Sequence, residues 1–169
     1  YRKGTIFFTA KLLCIAVALA PAFKMKFWNI GAEGQVLMGA LSTAIVMVNF
    51  STLSTPLLFT LMIVSSVVIG AIWGLIPAIF KAKWNVNETL FTLMMNYVAM
   101  QLVDYYYNIW KGSKASLGML NPGTKAGYLP EYNGSSNNII VTVVLIITVL
   151  MYIYLKKTKH GYEIAVVGE

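Results

Sequence analysis

From Val36 to Phe80 the chain carries no charge at all, and shorter apolar runs of the same kind recur on either side of that stretch. Five hydrophobic segments follow from the pattern. The first extends from about Thr5 to Phe23 and closes at Lys24 and Lys26. The second begins near Glu33 and ends around Asn49. Ser51, Thr52, Ser54 and Thr55 then form a turn-like stretch, and Pro56 suits the first turn of a third segment that continues to about Phe80. A fourth spans Glu88 to about Trp110, after Lys81 and Lys83, and a fifth spans about Asn138 to Leu155. These lengths are close to the roughly 17–25 residues a membrane helix needs. The predicted fold is therefore all-α: a polytopic transmembrane helical bundle of about five hydrophobic helices.

Between the fourth and fifth segments, residues 111–137 contain five glycines and two prolines among several Ser and Asn residues, the composition of a solvent-exposed loop. Its Tyr128, Leu129 and Tyr132 suit either anchoring at a membrane surface or contact with a partner protein. In the third segment Ser66, Gly70, Gly74 and Ala78 recur every four residues, a strip of small side chains against which another helix can pack closely. Pro77 in the same segment is expected to bend or loosen it.

Composition narrows the solvent. With 58% hydrophobic and 11% charged residues and a mean hydropathy of +0.70, the chain has too few charges to coat a soluble globule, where about a quarter of residues are charged. A soluble helical core would have to shield several uncharged runs of membrane-helix length. The apolar stretches recur along the whole chain, so the first does not read as a secretory signal. The net charge of +7 does not point to nucleic acid, because the lysines cluster beside apolar runs, as they do where helix ends are fixed at a membrane surface. Lys156, Lys157 and Lys159 mark the end of the fifth helix as cytoplasmic. Alternation then places the 111–137 loop outside, the Lys81/Lys83 turn inside and Arg2/Lys3 outside. Tyr1 in place of Met, and Glu169 within what reads as a loop, suggest a piece of a longer protein.

Within this apolar frame the polar residues stand out. Asn29-Ile30-Gly31-Ala32-Glu33-Gly34-Gln35 places a carboxylate, two amides and two glycines in a few positions. Asn29 is expected to cap the helix that follows, with Glu33 in its first turn, where the helix's partial positive end favours an anion. The sharper expectation is a discontinuous helix whose exposed backbone groups, with Glu33 or Gln35, face a cavity. In the fourth segment, at about 100° per residue, Thr89, Thr92 and Asn96 share one sector, while Tyr97, Gln101, Asp104 and Asn108 occupy the next. Polar side chains in a bilayer normally face the bundle interior or water. For Asn96 and Gln101 two roles stay open, lining a pathway or bonding helices together.

Catalysis finds no purchase. His160 is the only histidine and lies among lysines, so neither a histidine-based triad nor a metal cluster has partners. No Walker-type phosphate loop occurs, and no cofactor is implied. Cys14 is the only cysteine and reads as a packing residue. The Asn-x-Ser/Thr triplets at Asn49, Asn87 and Asn133 are too short to argue glycosylation.

At this point a resemblance appears. Trp28 through Gln35, WNIGAEGQ, is similar to the FNIGAEGQ signature of the membrane permease subunits of ATP-binding-cassette importers, in the branch serving nucleosides and simple sugars. Gly74-Leu75-Ile76-Pro77-Ala78 resembles that family's G-x-I-P-(G/A) helix. Asn87-Glu88-Thr89 through Met94-Met95-Asn96-Tyr97 resembles its N-E-(V/T)…M-x-N-Y segment. Lys159 through Glu163 with Val167-Gly168-Glu169 looks like the start, at 156–169, of the cytoplasmic loop that docks on the ATPase. Trp28 stands where phenylalanine is usual, and Lys26 where glycine is common.

The resemblance implies a single, incomplete permease domain over 1–169, working with cytoplasmic ATP-binding subunits, a second permease subunit and an extracytoplasmic substrate-binding lipoprotein or protein. It implies a substrate pathway near Asn29, Glu33, Gln35, Asn96, Tyr97 and Gln101, and ATPase docking through Gly161, Tyr162, Glu163, Gly168 and Glu169. Trp28 and Tyr97 are candidates either to stack on a purine or sugar face or to face lipid and pack. An ion-coupled secondary transporter using Glu33 or Asp104, or a membrane scaffold without a cavity, is the alternative.

Overall fold

The computed structural model describes residues 2–129 and 137–169. Tyr132 and the Asn133 triplet lie outside them. Six helices occur in the order α1 (Arg2–Lys24), α2 (Ala32–Asn49), α3 (Thr55–Trp84), α4 (Glu88–Lys111), α5 (Asn137–Lys157) and α6 (Lys159–Val167), with no strand among the described residues. The first five correspond to the five hydrophobic segments, each reaching slightly beyond the apolar run. Helix is what such runs must form in lipid, because it satisfies every backbone donor and acceptor within the segment.

Three helices are long and apolar enough to cross a membrane: α1 from Gly4 to Lys24, α3, and α5 from Asn138 to Lys157. The chain is a multi-pass membrane protein. At 30 residues α3 is about 45 Å long, more than the roughly 30 Å hydrocarbon layer, so its Lys81/Lys83 end stands beyond that layer or the helix tilts. It runs on through Pro77 and ends at Asn85, whose left-handed φ of 50° asparagine tolerates.

The chain forms two compact units. One comprises residues 1–29 and 129–169; the other comprises 30–128. In the first, α5 packs along α1, and α6 turns back to meet the end of α1. Across 156–169, where the start of a cytoplasmic docking loop is expected, residues 156–157 end α5 and 159–167 form α6. Thr158 explains the start, since its side chain accepts a hydrogen bond from Gly161 N (3.2 Å). Gly161 is buried against the Leu155 carbonyl and Gly168 against the Lys24 carbonyl, so any side chain at either position would collide with backbone.

In the second unit the small-residue strip of α3 faces α2. A Cβ placed on Gly74 would lie 2.8 Å from Gln35 Nε2, one on Gly70 would lie 3.7 Å from Gln35 O, and one on Gly39 would lie 3.0 Å from Ser66 Oγ. Helix α4 starts at an Asn87 cap that accepts from Leu90 N (3.1 Å) and packs on α2 and α3. The α3–α4 turn is closed by the Lys81–Glu88 ion pair (2.9 Å) and by stacked Phe80 and Phe91 rings with centroids 4.8 Å apart. Beyond α4 the described loop folds back: Asn121 Nδ2 donates to Met47 O (2.7 Å), and Tyr128 OH donates to Leu120 O (2.7 Å). Tyr128 is thereby held within the unit, while Leu129 is exposed.

Candidate functional site

The polar break resolves into a helix start held from another helix. Gly31 occupies the cap position of α2 with no side chain to offer, and no side chain caps the helix locally. Asn29, expected to do so, lies two residues too early; it is buried instead, and its N–H donates to Phe27 O (2.9 Å). The acceptor that a local cap would supply comes from α4. Asn96 Oδ1 accepts from Gly34 N (2.8 Å), the third residue of α2, and Asn96 Nδ2 donates to Ile30 O (3.0 Å). One turn earlier, Thr92 Oγ1 accepts from Ile30 N (3.3 Å) and itself donates to Thr89 O (3.1 Å). A single amide thus satisfies one of the orphan donors that every helix start leaves, and a carbonyl of the segment leading into it.

Burial sorts the α4 polar residues by sector. Thr92 is 0% and Asn96 4% exposed, whereas Tyr97 is 61% exposed and Gln101, Asp104 and Asn108 also point out of this unit. The structure therefore brings Asn96 and Thr92 to the α2 start and leaves Tyr97 and Gln101 on the outer face of α4. Glu33 stands in the first turn of α2, exposed, where the helix dipole favours its charge. Gln35, half-buried, lies against Gly74.

Trp73 belongs to this cluster and was not legible in the sequence, being one more large apolar residue in an apolar helix. Its Nε1 would lie 3.1 Å from a Cβ on Gly34, on the same side as Asn96 Oδ1, yet it is buried without a hydrogen-bond partner. Farther along α2 and α4 an apolar recess of about 220 Å³, lined by Leu37, Leu41, Val103, Tyr107, Trp110 and Leu120, offers no convergent polar groups of the kind a hydrophilic solute needs.

In the first unit Tyr162 (72% exposed), Glu163 and Glu169 lie at the surface of α6 or just after it, and Glu163 faces His160 Nδ1 at 3.1 Å. Gly161 and Gly168 are buried and shape the backbone beneath them. Lys26, where glycine was noted as common, has a φ of 57°, the left-handed region that glycine enters freely.

A family model described as "Branched-chain amino acid transport system / permease component" matches residues 3–169. The chain belongs to this permease family. Among its relatives are the glucose ABC transporter permease protein TsgB13 of Haloferax volcanii (32% identical, over 93% of this chain and 44% of that protein) and the guanosine ABC transporter permease protein NupP of Bacillus subtilis (29%, over 90% and 44%). The nucleoside ABC transporter permease protein NupB of Lactococcus lactis is 28% identical over 93% of this chain and 46% of its own length. The permease chain spans less than half the length of these curated relatives. No solved structure matches it significantly.

Proposed function

We propose that this chain is part of the membrane-spanning permease subunit of an ABC importer in the plasma membrane, contributing to the translocation pathway for nucleosides or simple sugars. The observation that carries this is the family match over 3–169 together with relatives named as guanosine, nucleoside and glucose permeases. The α2 start supports it physically. Glycine-rich backbone within an apolar protein is tolerated only where neighbouring helices satisfy its polar groups, as Asn96 and Thr92 do here, or where it lines water. Glu33 at the helix's positive end is then the side chain best placed to meet a hydrophilic solute, with Asn29, Gln35, Tyr97 and Gln101 as further pathway candidates.

ATP hydrolysis belongs, in this proposal, to separate cytoplasmic subunits, which bias the side of the membrane to which the pathway opens. A second permease subunit and an extracytoplasmic binding lipoprotein or protein complete the assembly. Exposed Tyr162, Glu163 and Glu169 are the ATPase contacts, Gly161 and Gly168 supporting them from below, with α6 on the cytoplasmic side.

The test is uptake by the full permease co-reconstituted with its ATPase and binding protein, using guanosine, adenosine, ribose, glucose and leucine as solutes. Uptake of a nucleoside or sugar that requires ATP and survives collapse of ion gradients is expected. Uptake driven by a proton or sodium gradient without ATP would establish the secondary-transporter alternative, and leucine alone as substrate would overturn the solute class. Glu33→Ala is expected to lower uptake at unchanged expression.

A further inference from the structure

Helix α1 is apolar enough to cross a membrane from Gly4 to Lys24, yet Lys11 stands inside it, the only charged residue between Gly4 and Phe23. At 1.5 Å per residue its Cα lies about 10 Å along the helix from Gly4 and about 20 Å from Lys24, well within a layer roughly 30 Å thick. A lysine there is costly, and such residues almost always face a bundle interior or water, paired with something. The described residues offer it no carboxylate. Ion pairs among them are Lys81–Glu88 and His160–Glu163, and the described acids of this unit, Glu163 and Glu169, follow α5 on the segment that turns back to the opposite end of α1. What Lys11 does have is Phe7 one turn earlier, with its ammonium 4.1 Å from the ring centroid.

The neighbouring face of α1 is already taken. Ala10 is buried, and Ile6, Thr9, Ala10 and Leu13 line a cleft with Val144 and Leu145 of α5. Lys11, about 100° round the helix from Ala10, is exposed to one side of that packing. An ammonium has three donors and no acceptor, so the chemistry that satisfies it is a set of oxygen or ring-nitrogen acceptors. Nucleosides are dense in both, and sugars in oxygen acceptors.

We propose that Lys11 lies on the aqueous translocation pathway and donates hydrogen bonds to acceptor atoms of the passing solute, with Phe7 beside it as an apolar platform. This assignment rests on the transport reading above. It makes Lys11 a solute-contacting residue that no signature motif includes.

The test uses the full permease with its ATPase in proteoliposomes, in a background cleared of native cysteines, Cys14→Ala included. Lys11→Cys is expected to react with a charged, membrane-impermeant methanethiosulfonate and to be protected by saturating guanosine, or by glucose if the uptake panel selects sugars. In uptake kinetics Lys11→Met is expected to raise KM about ten-fold, the size of one charge-assisted hydrogen bond, with kcat nearly unchanged, and Lys11→Arg to restore most of the affinity. Reaction only with a lipid-soluble maleimide would overturn the proposal in favour of a lysine snorkelling toward headgroups. Labelling that solute does not slow, with KM unaltered in Lys11→Met, would overturn the solute contact. Because labelling and protection do not depend on the energy source, ion-driven uptake would sink the ABC assignment while leaving this result readable.

Discussion

Replacing Asn96 with leucine keeps the side chain's branched shape and heavy-atom count and removes both hydrogen bonds that join α4 to the start of α2: Gly34 N to Oδ1 at 2.8 Å and Nδ2 to Ile30 O at 3.0 Å. Side-chain hydrogen bonds between membrane helices contribute about 0.6 kcal/mol on average and up to about 1.7. A buried backbone group left unsatisfied costs about 1–3 kcal/mol. Two bonds, with Asn96 only 4% exposed, put Asn96→Leu at roughly 1–4 kcal/mol of destabilisation, since water has little access to repair the loss. The full permease in mixed micelles, unfolded reversibly with SDS, reads this directly. Gln101→Leu, on the exposed face of the same helix, is the control and should stay within about 0.5 kcal/mol. If Asn96→Leu also stays within that margin while uptake collapses, Asn96 is a pathway residue and the cross-helix cap is not what it is for. A loss from Gln101→Leu as large as that from Asn96→Leu would refute the sorting of α4 by burial.

Three further outcomes follow from the geometry. Lys26→Gly relieves a φ of 57° and should stabilise the full permease by about 1 kcal/mol in the same SDS titration. Gly34→Ala would place a methyl 2.8 Å from Asn96 Oδ1 and 3.2 Å from Asn96 Cα, so a cost of about 1–3 kcal/mol is expected, and a neutral result would mean that the α2–α4 seam is looser than described. Exchanging Trp73 for its benzothiophene isostere removes only the buried, unpartnered N–H. Stability should be unchanged or rise by up to about 1 kcal/mol, and a clear loss by the same titration would show that the donor is partnered.

Where helices form was written in the chain. Uninterrupted apolar runs in lipid have no other way to satisfy their backbone, so the five segments and their Lys-marked ends could be read from pattern alone. The strip at Ser66, Gly70, Gly74 and Ala78 was equally readable as a packing face, because four-residue spacing fixes which side chains share a side of a helix. Helix α6 escaped because nine residues between lysines and glycines carry little periodic signal. What declares it is a Thr158 cap whose bond to Gly161 is visible only once the turn is formed.

The candidate site divides along the same line. Sequence determined that Asn29 to Gln35 and Thr89 to Asn108 hold the polar groups of an apolar protein, and the angle between Asn96 and Tyr97 within α4. It could not determine which sector meets a neighbour, because azimuth depends on a contact made across 62 residues of chain. Only the packing of α2 on α4 made Asn96 the cap that Asn29 was expected to be and turned Tyr97 and Gln101 outward, and the packing of α3 on α2 brought Trp73 to Gly34. An unsatisfied backbone donor in a water-poor interior is costly enough that tertiary packing, rather than the nearest side chain in sequence, decides which residue answers it.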